Sequence, residues 1–134
     1  MPTIFSKIAA REIPGYFVAE DKDFFAILDI NPVAEGHTLV IPKIEVDYLF
    51  DLDDETTAAY HVFAKKVSKA IEANVSCERI GMAVIGLEVP HAHIHLIPIN
   101  GVGDINFARP KLEMNTEQFE TLSENIRNTF TSLD

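Results

Sequence analysis

His91-Ala92-His93-Ile94-His95-Leu96-Ile97-Pro98-Ile99 is the stretch on which the reading of this chain turns. Three of the five histidines stand at alternate positions, with apolar residues between them. Successive side chains of a β-strand point to opposite faces, so the pattern predicts a strand over residues 92–99. One face would carry all three imidazoles, roughly 6.5–7 Å apart, while Ala92, Ile94 and Leu96 enter a core. A polar strand face needing only solubility seldom uses histidine. A row of imidazoles suits two chemistries. It can share a metal ion, with a further ligand from elsewhere in the chain. It can also transfer a phosphoryl or nucleotidyl group, the middle ring attacking phosphorus while its neighbours donate hydrogen bonds to the non-bridging oxygens. Neutral imidazole is available for such attack at neutral pH, because its ordinary pKa is about 6.5. Spacing alone leaves both open.

Upstream, Ile4, Phe5 and Ile8 share one face of a short helix over residues 4–11, which Pro14-Gly15 stops. Strands are predicted over residues 16–20 and 24–28, joined at the polar turn Asp21-Lys22-Asp23. A third follows the Asn31-Pro32 turn and Gly36, running over residues 38–41 up to Pro42. The strongest helix spans residues 53–74, with Tyr60, Phe63, Val67, Ala70 and Ile71 on one face. Its acidic start, Asp51, Asp53, Asp54 and Glu55, reads as a solvated helix N-terminus, and His61 as a histidine without catalytic duty. Residues 80–85 form a further strand, with Gly81 and Gly86 where a side chain is dispensable or obstructive. After a loop containing Gly101, Gly103 and Pro110, Asn115 and Gln118 have the spacing of a capping box for a last helix whose stripe is Phe119, Leu122, Ile126 and Phe130. The sum is an α+β fold: an antiparallel sheet of about five strands packed with a long central helix, a short N-terminal helix and a C-terminal helix.

With 134 residues, 47% of them hydrophobic, the chain supports one core and hence one domain over residues 1–134. A net charge of −10 opposes binding of a nucleic acid polymer, which needs a continuous basic surface. A single nucleotide makes no such demand, because a few imidazoles and backbone N–H groups can hold one or two phosphates. The lone Cys77 reads as a small hydrophobe. There is no apolar leader at the N-terminus and no run approaching the roughly 20 residues of a membrane span, so a cytoplasmic, soluble protein without a membrane partner is expected.

His-Ala-His-Ile-His-Leu-Ile matches the signature of the histidine triad (HIT) family, and the chain resembles its Hint-like branch, bacterial type. The likeness extends through TIFSKI (residues 3–8), LDINPVAEGHTLVIPK (28–43) and residues 86–95. It covers about residues 3–99 and leaves 100–134 as a C-terminal loop and helix. The resemblance implies that His93 is the nucleophile, its Nδ1–H donated to a backbone carbonyl so that the Nε2 lone pair faces phosphorus. It places His95 and His37 in the phosphate pocket and His91 in a supporting position. It also implies a purine nucleotide substrate, with Ile4, Phe5, Ile8, Ile13 and Ile27 around the base and Asp29 on the ribose hydroxyls. Read by itself, Asp29 can equally cap the Asn31-Pro32 turn, and each aliphatic residue can be ordinary core. No cofactor and no metal is implied, and a homodimer is.

The chain departs from the family pattern before the triad, where Gly86-Leu87-Glu88-Val89 replaces a segment with a hydroxyl donor. Glu88 is therefore a candidate contact to the leaving group. Cysteines of the kind that build a zinc site near the N-terminus of some bacterial relatives are absent from this sequence. The expected activity is hydrolysis or nucleotidyl transfer at the α-phosphate of a nucleoside 5′-phosphoramidate through a nucleotidyl-histidine. The alternatives are dinucleoside polyphosphate hydrolysis, a nucleotide-binding protein with little turnover, and a metal-binding module.

Overall fold

A computed structural model describes residues 2–133. The elements run α1 (Ile4–Ala9), β1 (Phe17–Glu20), β2 (Phe24–Leu28), β3 (Thr38–Pro42), α2 (Asp54–Glu72), β4 (Arg79–Ala83), β5 (Ile94–Ile99) and α3 (Thr116–Ser132). The five strands form one antiparallel sheet in the order β1-β2-β3-β5-β4. The α+β class and the five-strand count match the sequence reading.

The central strands bury both faces, which is why β2 reads as an unbroken apolar run. Phe24, Ala26 and Leu28 of β2, Val40 of β3 and Ile94 and Leu96 of β5 face one way. They pack under Tyr60, Phe63, Val67 and Ile71 of α2 and Phe119 and Ile126 of α3. Ring stacking pins both helices: Phe24 lies on Tyr60 at 5.2 Å, and Tyr16 on Phe119 at 5.0 Å. Tyr60 also donates its hydroxyl to the Val40 carbonyl at 2.5 Å, so the buried phenol is satisfied. The opposite face carries a smaller core of Phe5 and Ile8 from α1 against Phe25, Ile27, Leu39 and Ile41. His93 and His95 alternate with Ala92, Ile94 and Leu96 of the first core, and His93 meets the Phe5 ring of α1.

Local chemistry sets the element ends. Asp53 accepts from the Thr56 N–H as the cap of α2, and Asp54 and Glu55 follow in its first turn, where the dipole favours them. The Asn115–Gln118 capping box forms, each side chain bonding the other's backbone N–H at 2.8 Å. The Asp21 carboxylate accepts from the N–H groups of Asp23 and Phe24, closing the β1–β2 turn. At Gly81 a Cβ would stand 2.6 Å from the terminal methyl of Ile105, so the loop after β5 packs directly on the β4 backbone and a side chain there would displace it.

Two strands differ from the sequence reading. The strand expected over residues 92–99 begins at Ile94, so neither His91 nor His93 belongs to it. The chain approaches through an irregular segment in which the His91 N–H bonds the Val89 carbonyl and the Ala92 N–H bonds the Val46 carbonyl. Those partners lie outside the sheet, and pairing with β3 begins only at Ile94 opposite Val40. The strand over residues 80–85 also ends early, leaving Val84 and Ile85 exposed in a loop.

Candidate active site

His93 and His95 open into a cavity of about 380 Å³. Asp29, Asn31 and His37 line it from the β2–β3 connection, Ile85 to Glu88 from the loop before the triad, and Phe107 and Lys111 from the loop after β5. A larger groove of about 760 Å³ runs between β1 and α3, but no histidine lines it.

Backbone geometry delivers His37. Gly36 turns the chain at φ +90°, a conformation costly for any residue with a Cβ, and an added Cβ would meet the Val75 side chain at 2.9 Å. His37 follows immediately, 1% exposed, and β3 starts one residue later. Its neighbour across the sheet is β5, which carries His95.

The hydrogen bonds determine which nitrogen of each ring carries the proton. A backbone N–H can only donate, and the Val33 N–H reaches His37 Nδ1 at 3.1 Å. Nδ1 of His37 is therefore unprotonated and its proton sits on Nε2, which lies 2.9 Å from His95 Nδ1. His95 Nδ1 must then accept, leaving Nε2–H as the donor that His95 offers to a ligand. Burial keeps both rings neutral, pushing His37 down to about 3 and His95 down to about 4, with nearby positive charge adding to the effect.

His93 and His91 obey the same logic. His93 Nδ1 lies 2.8 Å from the His91 carbonyl, which can only accept, so Nδ1 carries the proton and Nε2 keeps its lone pair. His91 does not face the cavity. Its Nε2–H is donated to the Pro42 carbonyl at 2.7 Å, and its Nδ1 accepts the Thr3 hydroxyl at 2.6 Å. Thr3 Oγ1 also accepts from the Ser6 N–H as the cap of α1, tying that helix to the triad. Burial lowers the His91 pKa. The expected row of three imidazoles on one face thus becomes two in the cavity and one, His91, held by the Pro42 carbonyl and the Thr3 hydroxyl.

Asp29 caps the Asn31-Pro32 turn, as the sequence allowed, and also faces His37. One carboxylate oxygen accepts from the Asn31 N–H at 2.8 Å, capping the turn, and the other lies 3.5 Å from His37 Nε2. Burial raises its pKa, against the opposing hydrogen bond from Asn31. Ligand atoms of Asp29, His37 and His95 lie within 4.8 Å of one another. The facing nitrogens of His37 and His95 are already bonded to each other, so an ion held by all three would have to break that bond.

The five aliphatic and aromatic residues assigned to a base pocket do not line this cavity. Phe5, Ile8 and Ile27 are buried in the smaller core, Ile13 packs at its edge, and Ile4 is 49% exposed. Phe5 does connect that core to the site, presenting its ring to His93 at 5.1 Å and to His91 at 5.8 Å. Glu88 lines the cavity as an exposed carboxylate. His61 is exposed on α2 and bonds the Thr57 carbonyl, away from the site.

Sequence reasoning missed Thr3, Asn31, Phe107 and Lys111. The hydroxyl that caps α1 was the available signal for Thr3. Nothing local marks Phe107, whose ring lies 4.7 Å from that of His95 and 6.1 Å from that of His37.

Three imidazoles with assigned tautomers at the start of β5, two of them opening into a cavity beside a five-stranded antiparallel sheet, define the class. The HIT domain matches residues 10–101, and the chain belongs to that family. It is 38% identical to an uncharacterized HIT-like protein of Borreliella burgdorferi, over 92% of this chain and 94% of that one. It is 34% identical to the adenosine 5′-monophosphoramidase hnt1 of Schizosaccharomyces pombe, over 94% of this chain and 96% of that one. Among solved structures, a hypothetical histidine triad nucleotide-binding protein of Sulfolobus tokodaii superposes with a TM-score of 0.80 at 34% identity, covering 95% of this chain and 91% of that one.

Proposed function

We propose that this protein hydrolyses nucleoside 5′-phosphoramidates at the α-phosphate, through a covalent nucleotidyl-histidine on His93. The observation that carries the reading is the His93 Nδ1–H bond to the His91 carbonyl, which turns an unprotonated Nε2 toward the cavity. The similarity to the S. pombe phosphoramidase supports the choice of substrate class.

In the first step the Nε2 lone pair attacks the α-phosphorus, a P–N bond to His93 forms and the P–N bond to the leaving amine breaks. The amine takes a proton from water, relayed by Glu88, as it departs, and the water consumed in the second step gives one back. His95, whose Nε2–H is its free donor, hydrogen-bonds a non-bridging oxygen and stabilises the charge gathering there. In the second step water attacks phosphorus, the bond to His93 breaks, and the nucleoside monophosphate leaves with His93 restored. Asp29 is assigned to the ribose hydroxyls and the α1 side of the sheet to a purine base. The protein acts as a homodimer. The outward-facing Val62 of α2 and the unpaired edge of β4 support that assembly.

Rapid quenching with adenosine 5′-phosphoramidate, followed by peptide mass mapping, tests the mechanism. A nucleotidylated peptide containing His93 is expected. In His93→Ala the adduct disappears and turnover falls at least ~10³-fold while AMP still binds. Substantial turnover in a folded His93→Ala protein overturns the assignment.

A further inference from the structure

A nucleotide brings negative charge to a cavity that is poorly prepared for it. Asp29 and Glu88 line the site, the chain carries a net −10, and His37 and His95 are neutral. Neutral imidazoles donate hydrogen bonds but supply no charge. Among the residues lining this cavity, Lys111 is the one permanent cation.

Its position is built by the loop after β5. The Leu112 N–H bonds the Pro32 carbonyl at 2.8 Å, fastening the loop to the turn that carries Asp29 and Asn31. Lys111 Nζ donates to the Phe107 carbonyl at 2.6 Å and stands 5.9 Å from the centre of the Phe107 ring. That ring in turn packs on His95. The ammonium is close enough to favour ionised Asp29 and to oppose protonation of His37 and His95. It has further N–H donors besides the one on Phe107, and it remains exposed on the cavity side.

We infer that Lys111 is a phosphate-binding residue of this site, holding the α-phosphate of a nucleotide against His93 and His95. The inference rests on the nucleotide reading above. It assigns to residues 101–115, which lie beyond the triad, the charge that the triad itself does not provide.

Calorimetric titration of the full chain with AMP and with adenosine tests it, in wild type, Lys111→Ala and Lys111→Arg, with thermal melts confirming that each is folded. The loss of one phosphate-facing cation near the surface should weaken AMP binding about tenfold and leave adenosine unchanged. Lys111→Arg should restore most of the loss, and the difference between wild type and Lys111→Ala should shrink as salt is raised. Equal AMP affinity in wild type and Lys111→Ala overturns the role of Lys111 and leaves the nucleotide reading standing. An equal loss for adenosine and AMP also overturns it, because the residue would then shape the cavity without binding phosphate. Wild-type protein that binds neither ligand overturns the nucleotide reading itself, and this inference with it.

Discussion

His37 Nε2 lies 2.9 Å from His95 Nδ1, and this contact carries information from a backbone amide to a ligand-facing atom. The Val33 N–H sets the His37 tautomer, His37 sets that of His95, and His95 is left with its proton on the nitrogen directed away from His37. His37→Ala should free His95 to exchange tautomers and so lose its dedicated donor. Turnover of adenosine 5′-phosphoramidate is expected to fall about 10²-fold, mostly in kcat, with AMP affinity changing far less. His37→Asn, whose side chain can offer an N–H to His95, should recover part of the rate. Equal loss in both variants would reduce His37 to a packing residue.

The same burial makes stability depend on pH. In the unfolded chain both histidines take up a proton near pH 6.5, whereas in the folded protein His37 does so only near 3 and His95 near 4. Between these values the unfolded state holds more protons, so stability is complete above about pH 6.5 and is lost as pH falls. His91, lowered in the same direction, adds to the trend. By pH 5 the loss should be roughly 1–2 kcal/mol per fully buried histidine. Urea midpoints at pH 7.5, 6.0 and 5.0 should fall steadily. A flat series would mean that the rings titrate in the folded protein as they do in water.

Glu88 is exposed on the loop before the triad and lines the cavity that holds His93. A carboxyl acting as proton donor to the departing amine would matter most when that amine is a poor leaving group. Glu88→Gln should then slow phosphoramidates of strongly basic amines by about tenfold or more and barely affect those of weakly basic anilines. A uniform effect across the series, or none, would make it a solvent-facing carboxylate and leave protonation to water or His95.

Light scattering at micromolar concentration should give the mass of a dimer, twice the chain's 14.9 kDa. The edge of β4 and the exposed Met82, Val84 and Ile85 beside it offer a surface that a second copy would cover. Met82→Lys should weaken that association if the edge is the contact, and a purely monomeric wild type would rule it out.

Periodicity made most of the architecture legible. The helical stripe of Tyr60, Phe63, Val67 and Ile71 reports one buried face, and the unbroken apolar runs of β2 and β3 report strands buried on both. The Asn115–Gln118 box was equally readable, since both partners lie within one helical turn. Alternation put His91, His93 and His95 together against Ile94 and Leu96, and this holds for His93 and His95 in the cavity and not for His91.

Tertiary structure decided everything that depends on partners distant in the chain. His91 keeps the triad's spacing yet turns to Thr3, 88 residues earlier, and to the Pro42 carbonyl, partners that no pattern around residue 91 announces. No local pattern carries the tautomer of His95, which depends on an amide at Val33 through a ring at position 37. Phe107 and Lys111 sit in a loop whose own sequence has no periodicity, and their place beside the histidines rests on contacts with distant segments, among them the Leu112–Pro32 backbone bond and the packing of Phe107 on His95. The identities of the reacting groups are written in the order of residues. Their proton positions and the charge around them belong to contacts that exist only once the chain has closed.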